Sequence, residues 1–267
     1  MKRTDQRVLL LDGFDVSTEA VTERLRALDF DAMRAKTPDE ALLLAAEDAA
    51  VAVVLLPSDL LDPDLGRLVH LLRCAATGRR LAFLVVGPRP GVEARCGFRK
   101  ADVELALWEP FDDATLRFQT NRALAIGGQQ HPRRSLRVPC SAPVRAHAGG
   151  REKPSRLYTL SEAGAYLETG RASMRGTEVF LDLQLAPSLV QAEGRVTTTN
   201  VPGNLRNPRL PLGIAVEFTR LSEGGEDAIR EVVQETARSL RIHADGHGPD
   251  GPEEPDAGWW RRLLRRR

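Results

Sequence analysis

The sequence has no paired cysteines, no surplus of either charge and no long apolar run, and each lack narrows what the chain can be. Cys74, Cys96 and Cys140 are odd in number and widely spaced, with no Cys-x-x-Cys pair and no His-Cys cluster. They are expected to be free thiols in a reducing compartment, and the chain is expected to stay in the cytoplasm. The five histidines are scattered, and neither His131 nor His147 has a partner at metal-ligand spacing, so neither a metal nor another cofactor is expected. Lys and Arg total 38 against 37 Asp and Glu, which leaves a formal net charge of +1. That balance excludes a field able to draw the whole molecule onto nucleic acid or an anionic membrane, and no nucleic-acid partner is expected. The apolar run around Val8 to Leu11 is too short for a signal h-region or a membrane span. With no Ser-His-Asp pattern, P-loop or paired-carboxylate signature, the chain is not read as an enzyme.

What remains is ordinary globular material. The chain has 267 residues, 42% of them hydrophobic and 28% charged, and at about 150 residues per domain that length suits two domains. The first part alternates short apolar runs with amphipathic stretches, the βα pattern of a helix-covered parallel sheet. Val8 to Leu11, Val51 to Leu56, Leu81 to Val86 and the alternating Val103, Leu105 and Leu107 read as strands. Val21, Leu25 and Leu28 share a helix face, Leu65 to Leu72 has helical spacing, and Asp112-Asp113 opens a last helix reaching about Leu124. In Thr37-Pro38-Asp39-Glu40 the threonine caps a helix, the proline fills its first turn and the glutamate reaches back to the cap.

Gly127-Gly128-Gln129-Gln130 has no core residue, and the pattern changes after it. Short strands follow at Leu157 to Leu160, Ala165 to Leu167, Thr177 to Leu183, Ala192 to Thr199 and Leu212 to Phe218, then a helix from Glu226 to Leu240. The expected fold is therefore α/β then all-β: a five-stranded parallel sheet over 1–126, a linker at 127–131 and an antiparallel barrel with a C-terminal helix over 132–241. A disordered tail is expected over 242–267, ending in Trp259-Trp260-Arg261-Arg262-Leu263-Leu264-Arg265-Arg266-Arg267. Tryptophan with arginine suits a membrane surface, but nine residues make a weak anchor, so a solvated tail is the expectation.

The first half resembles the receiver domain of bacterial response regulators. In that family a strand-end aspartate takes a phosphoryl group, an acidic pair holds magnesium, and a hydroxyl residue and a lysine read the phosphate. Here Pro57 stands at the acceptor position with Asp59 two residues on, Gly87 replaces the hydroxyl residue, and Glu109 replaces the lysine before Pro110-Phe111. Asp12 and Asp15 read as loop caps. The resemblance thus implies a pseudo-receiver that serves as a docking surface for an unidentified protein partner. A phosphorylatable regulator would need Asp59 as its acceptor.

Two patterns in the second half belong together. Arg133-Arg134-Ser135-Leu136-Arg137 sets guanidinium groups in an Arg-x-x-x-Arg spacing, and arginine holds phosphate oxygens bidentately and also stacks on purines. Thr159-Leu160-Ser161-Glu162-Ala163-Gly164 lies at a strand end, with a hydroxyl for ligand or backbone and a glycine that permits close approach or positive φ. With the later strand Leu212 to Phe218, these pieces resemble the PilZ domain family, whose members bind the second messenger cyclic di-GMP. The resemblance implies that Arg133, Arg134, Arg137, Thr159, Ser161 and Gly164 contact the ligand. It departs from the family at Thr159, where an aspartate or asparagine would receive guanine. It further implies an effector that acts on motility or surface behaviour. Because the arginine segment follows a flexible linker, ligand binding is expected to order it and fix the angle between the domains. The alternative is a messenger-independent adaptor.

Overall fold

The structure is a computed structural model, and it describes residues 6–13, 17–60, 64–103, 105–127, 135–186 and 188–242. Aliphatic runs build the first sheet from β1 (Arg7–Leu11), β2 (Asp31–Ala35), β3 (Val51–Pro57), β4 (Ala82–Gly87) and β5 (Leu105–Trp108). All pair in parallel, in the order β2-β1-β3-β4-β5. β3 and β4 are buried along their whole length, as strands covered on both faces must be. Between and after the strands run α1 (Thr18–Ala27), α2 (Pro38–Glu47), α3 (Asp64–Ala75), α4 (Val92–Lys100) and α5 (Asp113–Gly127). α2, α3 and α4 cover one face through Ala45, Leu68, Leu72 and Phe98. α1 and α5 cover the other through Val21, Leu25, Leu116 and Leu124. This is the expected α/β domain, with the doubly wound strand order of receiver domains.

Thr37 caps α2, its Oγ1 accepting from Glu40 N at 3.2 Å, but the Glu40 carboxylate accepts from Lys36 N at 2.7 Å, one residue ahead of the expected threonine. β2 and α4 had no expected position. β2 buries only Ala32 and Ala35, and α4 carries four charged residues among nine, so neither announces itself by an apolar run.

The second domain contains β6 (Val138–Pro139), β7 (Pro143–Ala148), β8 (Arg151–Ser161), β9 (Gly164–Glu168), β10 (Glu178–Leu185), β11 (Ser188–Asn200), β12 (Gly213–Leu221) and α6 (Gly225–Ser239). Antiparallel pairing runs β8-β7-β10-β11-β12-β9 and returns from β9 to β8, which closes a six-stranded barrel with β6 added beside β8. Alternation fills its interior, with Val179, Leu181, Leu183 and Leu185 of β10 all pointing in. α6 seals the barrel with Ile229, Val233 and Ala237, four residues apart on one face.

The two domains are in contact. Phe118 of α5 packs with Tyr158, Tyr166 and Leu240 of the barrel domain in a buried cluster. The β11–β12 connection seats Arg209, whose guanidinium donates to Gln6 O at 2.8 Å and whose carbonyl accepts from Arg117 at 3.2 Å and Asn121 at 3.1 Å. Leu240 O, just past α6, accepts from Gln119 Nε2 at 3.2 Å, and Arg241 forms an antiparallel bridge to Leu105 that covers the β5 edge. Gly127, expected as the first linker residue, closes α5, and 128–131 lie outside the described residues. The expected tail beyond Ile242, with its Trp/Arg end, also lies outside them. Among the described residues no helix is long and apolar enough to cross a membrane.

Candidate functional site

The second motif occupies the β8–β9 hairpin. Thr159 and Ser161 end β8, Glu162 and Ala163 form the turn, and Gly164 opens β9 opposite Ser161. The Ser161 hydroxyl donates to Gly164 O at 3.0 Å and ties the hairpin across its turn. Gly164 was expected to admit a ligand or a positive φ, but its close neighbour is protein. A Cβ there would stand 2.2 Å from Val216 O of β12. Absence of a side chain lets β9 approach β12, a packing requirement for glycine at this position. Gly213 is the reciprocal case, since its Cβ would stand 1.9 Å from Leu167 O.

The first motif reaches the second through strand register. β6 pairs Val138 with Leu160 and Pro139 with Thr159. Continuing that antiparallel register by one residue sets exposed Arg137 beside Ser161. Arg133 and Arg134 lie outside the described residues. Thr159 is 7% exposed and Ser161 2%, so both hydroxyls sit beneath the surface rather than on it.

This hairpin also forms part of the domain interface. A bulge between Leu157 and Thr159 leaves Leu157 and Leu160 in the barrel core while Tyr158 joins the cluster on Phe118. Tyr166, paired with Thr159, meets Tyr158 edge-on with ring centroids 5.8 Å apart and donates to Pro211 O at 2.7 Å. Burial raises both phenols, Tyr166 up to about 12, so both stay neutral in the interface. Sequence reasoning missed the tyrosines, whose only signal was two aromatics flanking the motif in a chain poor in them.

The other candidate site lies at the strand ends of the first sheet. Pro57 ends β3, and the Cβ that Gly13 lacks would stand 2.4 Å from Pro57 Cβ and 2.7 Å from Asp59 Oδ1. Asp12, expected as a loop cap, instead gives both carboxylate oxygens to Arg34, at 3.0 and 2.8 Å. Arg34 also faces Glu19 at 3.6 Å. The hydrogen bond that Arg34 donates to Asp12 raises the arginine further above its ordinary value. Asp15 lies outside the described residues. Gly87 ends β4 with φ +134° and accepts from Glu109 N at 2.9 Å, so no hydroxyl faces this end from β4 and a carboxylate follows β5. A magnesium ion would have to displace the Arg34 guanidinium from Asp12, and these residues do not fit one.

A family model for the PilZ domain matches residues 130–235. This region is a PilZ domain. The match takes in the arginine segment, the β8–β9 hairpin and every strand of the barrel. Among solved structures, the chain is similar to the Bacillus subtilis inhibitor of motility MotI/DgrA, at 15% identity over 41% of this chain and 53% of that one, with a TM-score of 0.35. It is also similar to the PilZ domain of YcgR from Escherichia coli with c-di-GMP, at 13% identity over 41% and 94%, TM-score 0.33. A third is the receiver domain of a sensor histidine kinase from Pseudomonas aeruginosa PAO1 with magnesium in its active-site cleft, at 20% identity over 45% and 98%, TM-score 0.40. The chain spans about half the length of the B. subtilis protein, 53%. No curated protein matches it. The PilZ domain here thus follows a receiver-like domain and shares a buried interface with it.

Proposed function

We propose that this chain is a non-enzymatic cyclic di-GMP effector that passes the messenger level to a partner protein through a receiver-like domain unable to take phosphate. The observation that carries the reading is the β6–β8 register, Val138 with Leu160 and Pro139 with Thr159, whose continuation by one residue would set Arg137 of the arginine motif beside Ser161 of the second motif inside a matched PilZ domain. Arg133, Arg134 and Arg137 hold the phosphates and stack on guanine, while Thr159, Ser161 and Gly164 line the hairpin end. Thr159 offers one acceptor oxygen where a carboxylate or amide offers a better match to guanine, which weakens binding about ten- to a hundred-fold. Because the hydroxyls sit beneath the surface, ligand binding requires the segment around Arg137 to open and reclose. The output, control of motility or surface behaviour, comes with the family.

The expectation that ligand fixes a free interdomain angle needs revision. Arg209, Leu240 and the Tyr158 cluster already hold the domains together. Messenger binding therefore acts on a formed interface, shifting its balance by differential affinity. Calorimetric titration of cyclic di-GMP against the wild type, Arg133→Ala and Arg137→Ala tests the site. Binding by the wild type that weakens about tenfold or more in each variant supports it, and equal heats in all three overturn it.

A second reading is favoured by Thr159 itself and by the commitment of the Ser161 hydroxyl to Gly164 O. In that reading the chain is a messenger-independent adaptor. A well-folded sample that takes up no cyclic di-GMP at high micromolar concentration, and whose melting temperature the nucleotide leaves unchanged, selects it.

A further inference from the structure

The barrel domain covers α5 and the β5 edge, and on the far face of the sheet, where α2 and α3 lie, the second domain contributes only Ile242 to the core among the described residues. α2 is apolar all round from Ala41 to Ala46, yet only Ala41 and Ala45 are buried. Leu42 and Leu44 are half-buried and Leu43 is 55% exposed. Beside it α3 exposes Leu71 at 39%. A helix apolar on every side normally has cover on every side, and this one lacks it among the described residues.

The charges on this layer say what covers it. α2 carries Asp39, Glu40 and Glu47 and no basic residue, whereas the exposed side of α3 carries Arg67 and His70 around Leu71, with Asp64 in its first turn and Arg73 already paired with Asp102. The two helices pack side by side on one sheet face. Even so, Asp39, Glu47 and Arg67 form no ion pair among the described residues. Glu40 is spoken for by Lys36 N. An acidic helix next to a basic one, both flanking leucines, is complementary to its own copy turned by a twofold axis. Each acidic helix then meets the basic helix of the other chain.

We propose that the α2–α3 layer is a homodimer interface, in which Leu43 and Leu71 of two copies pack together while Asp39 and Glu47 of one chain face Arg67 and His70 of the other. The inference is independent of messenger binding.

Sedimentation velocity on the full chain tests it. The wild type is expected to dimerise at micromolar concentration, and Leu43→Asp with Leu71→Asp to yield monomer with unchanged circular dichroism. Glu47→Arg is expected to weaken the dimer about tenfold, and adding Arg67→Glu to restore most of the loss. A wild type that stays monomeric at high micromolar concentration overturns the proposal, as does a dimer indifferent to the leucine changes. Loss in Glu47→Arg that Arg67→Glu fails to restore overturns the charge pairing and with it the twofold arrangement.

Discussion

Ser141 Oγ donates to Asp112 Oδ2 at 2.5 Å, and the other oxygen of the same carboxylate accepts from Thr115 N at 2.8 Å at the start of α5. One aspartate therefore caps a helix of the receiver-like domain and holds the PilZ domain. Ser141 is only four residues past Arg137, with β6 between them pairing to the motif strand β8. A displacement of the arginine segment has a short covalent path to the cap of α5.

The Ser141–Asp112 bond is expected to contribute about 1 kcal/mol, toward the low end for a charged acceptor because the carboxylate is largely exposed. Burial pulls the Asp112 carboxyl upward, but the bonds from Ser141 and Thr115 outweigh it and leave it below its ordinary value. A depressed carboxyl adds stability in full above its unfolded value of about 4, and that stability is lost as pH falls through the folded value. Urea unfolding should show Ser141→Ala less stable than wild type at neutral pH. The gap should close as the pH drops below about 4; a gap that persists there would mean that ionised Asp112 is not the partner that matters.

Gly164→Ala should destabilise the chain by about 2–3 kcal/mol, because its new methyl meets Val216 O and one of two paired strands must move. The check is a thermal melt in the absence of nucleotide. An unchanged melting temperature would show that β9 and β12 approach less closely than described and would return this glycine to the ligand.

Arg209 is expected to make the two domains melt as one. Its side chain reaches Gln6 and its carbonyl caps two α5 side chains, while Asn200 Nδ2 and Oδ1 hold the loop's own backbone at Asn207, Leu210, Pro211 and Arg206. Calorimetry should give one transition for the wild type and two for Asn200→Ala, which unties the loop that presents Arg209. Two transitions in the wild type would mean that the interface carries little energy.

The alternation of elements was readable from the chain because buried parallel strands must be aliphatic and barrel strands must alternate. The positions of β3, β4, β10 and α6 follow from that alone. β2, α4, β6 and β7 were not readable. They are short, or their inward residues are alanines whose apolar signal is faint, as in the Val144, Ala146 and Ala148 face of β7. At the candidate site the residue types were legible but not their partners. Nothing in Gly164 announces the close approach of β12, which only long-range pairing brings about. The same holds for Asp12, a loop cap by local rules, whose partner Arg34 comes from the neighbouring strand.

That ion pair underlies the expectation that the receiver-like domain carries no phosphoryl chemistry. Arg34 engages both oxygens of Asp12, Pro57 fills the strand end where an acceptor carboxylate would project, and Glu109 adds negative charge where phosphate would need a cation. Acetyl phosphate with magnesium should therefore leave the intact mass of the chain unchanged. Arg34→Ala frees Asp12 but supplies neither acceptor nor lysine, so it too should stay unlabelled, while its magnesium affinity should rise as the guanidinium leaves. A mass gain of one phosphoryl group in the wild type, lost in Asp59→Asn, would make Asp59 an acceptor and the first domain a working receiver.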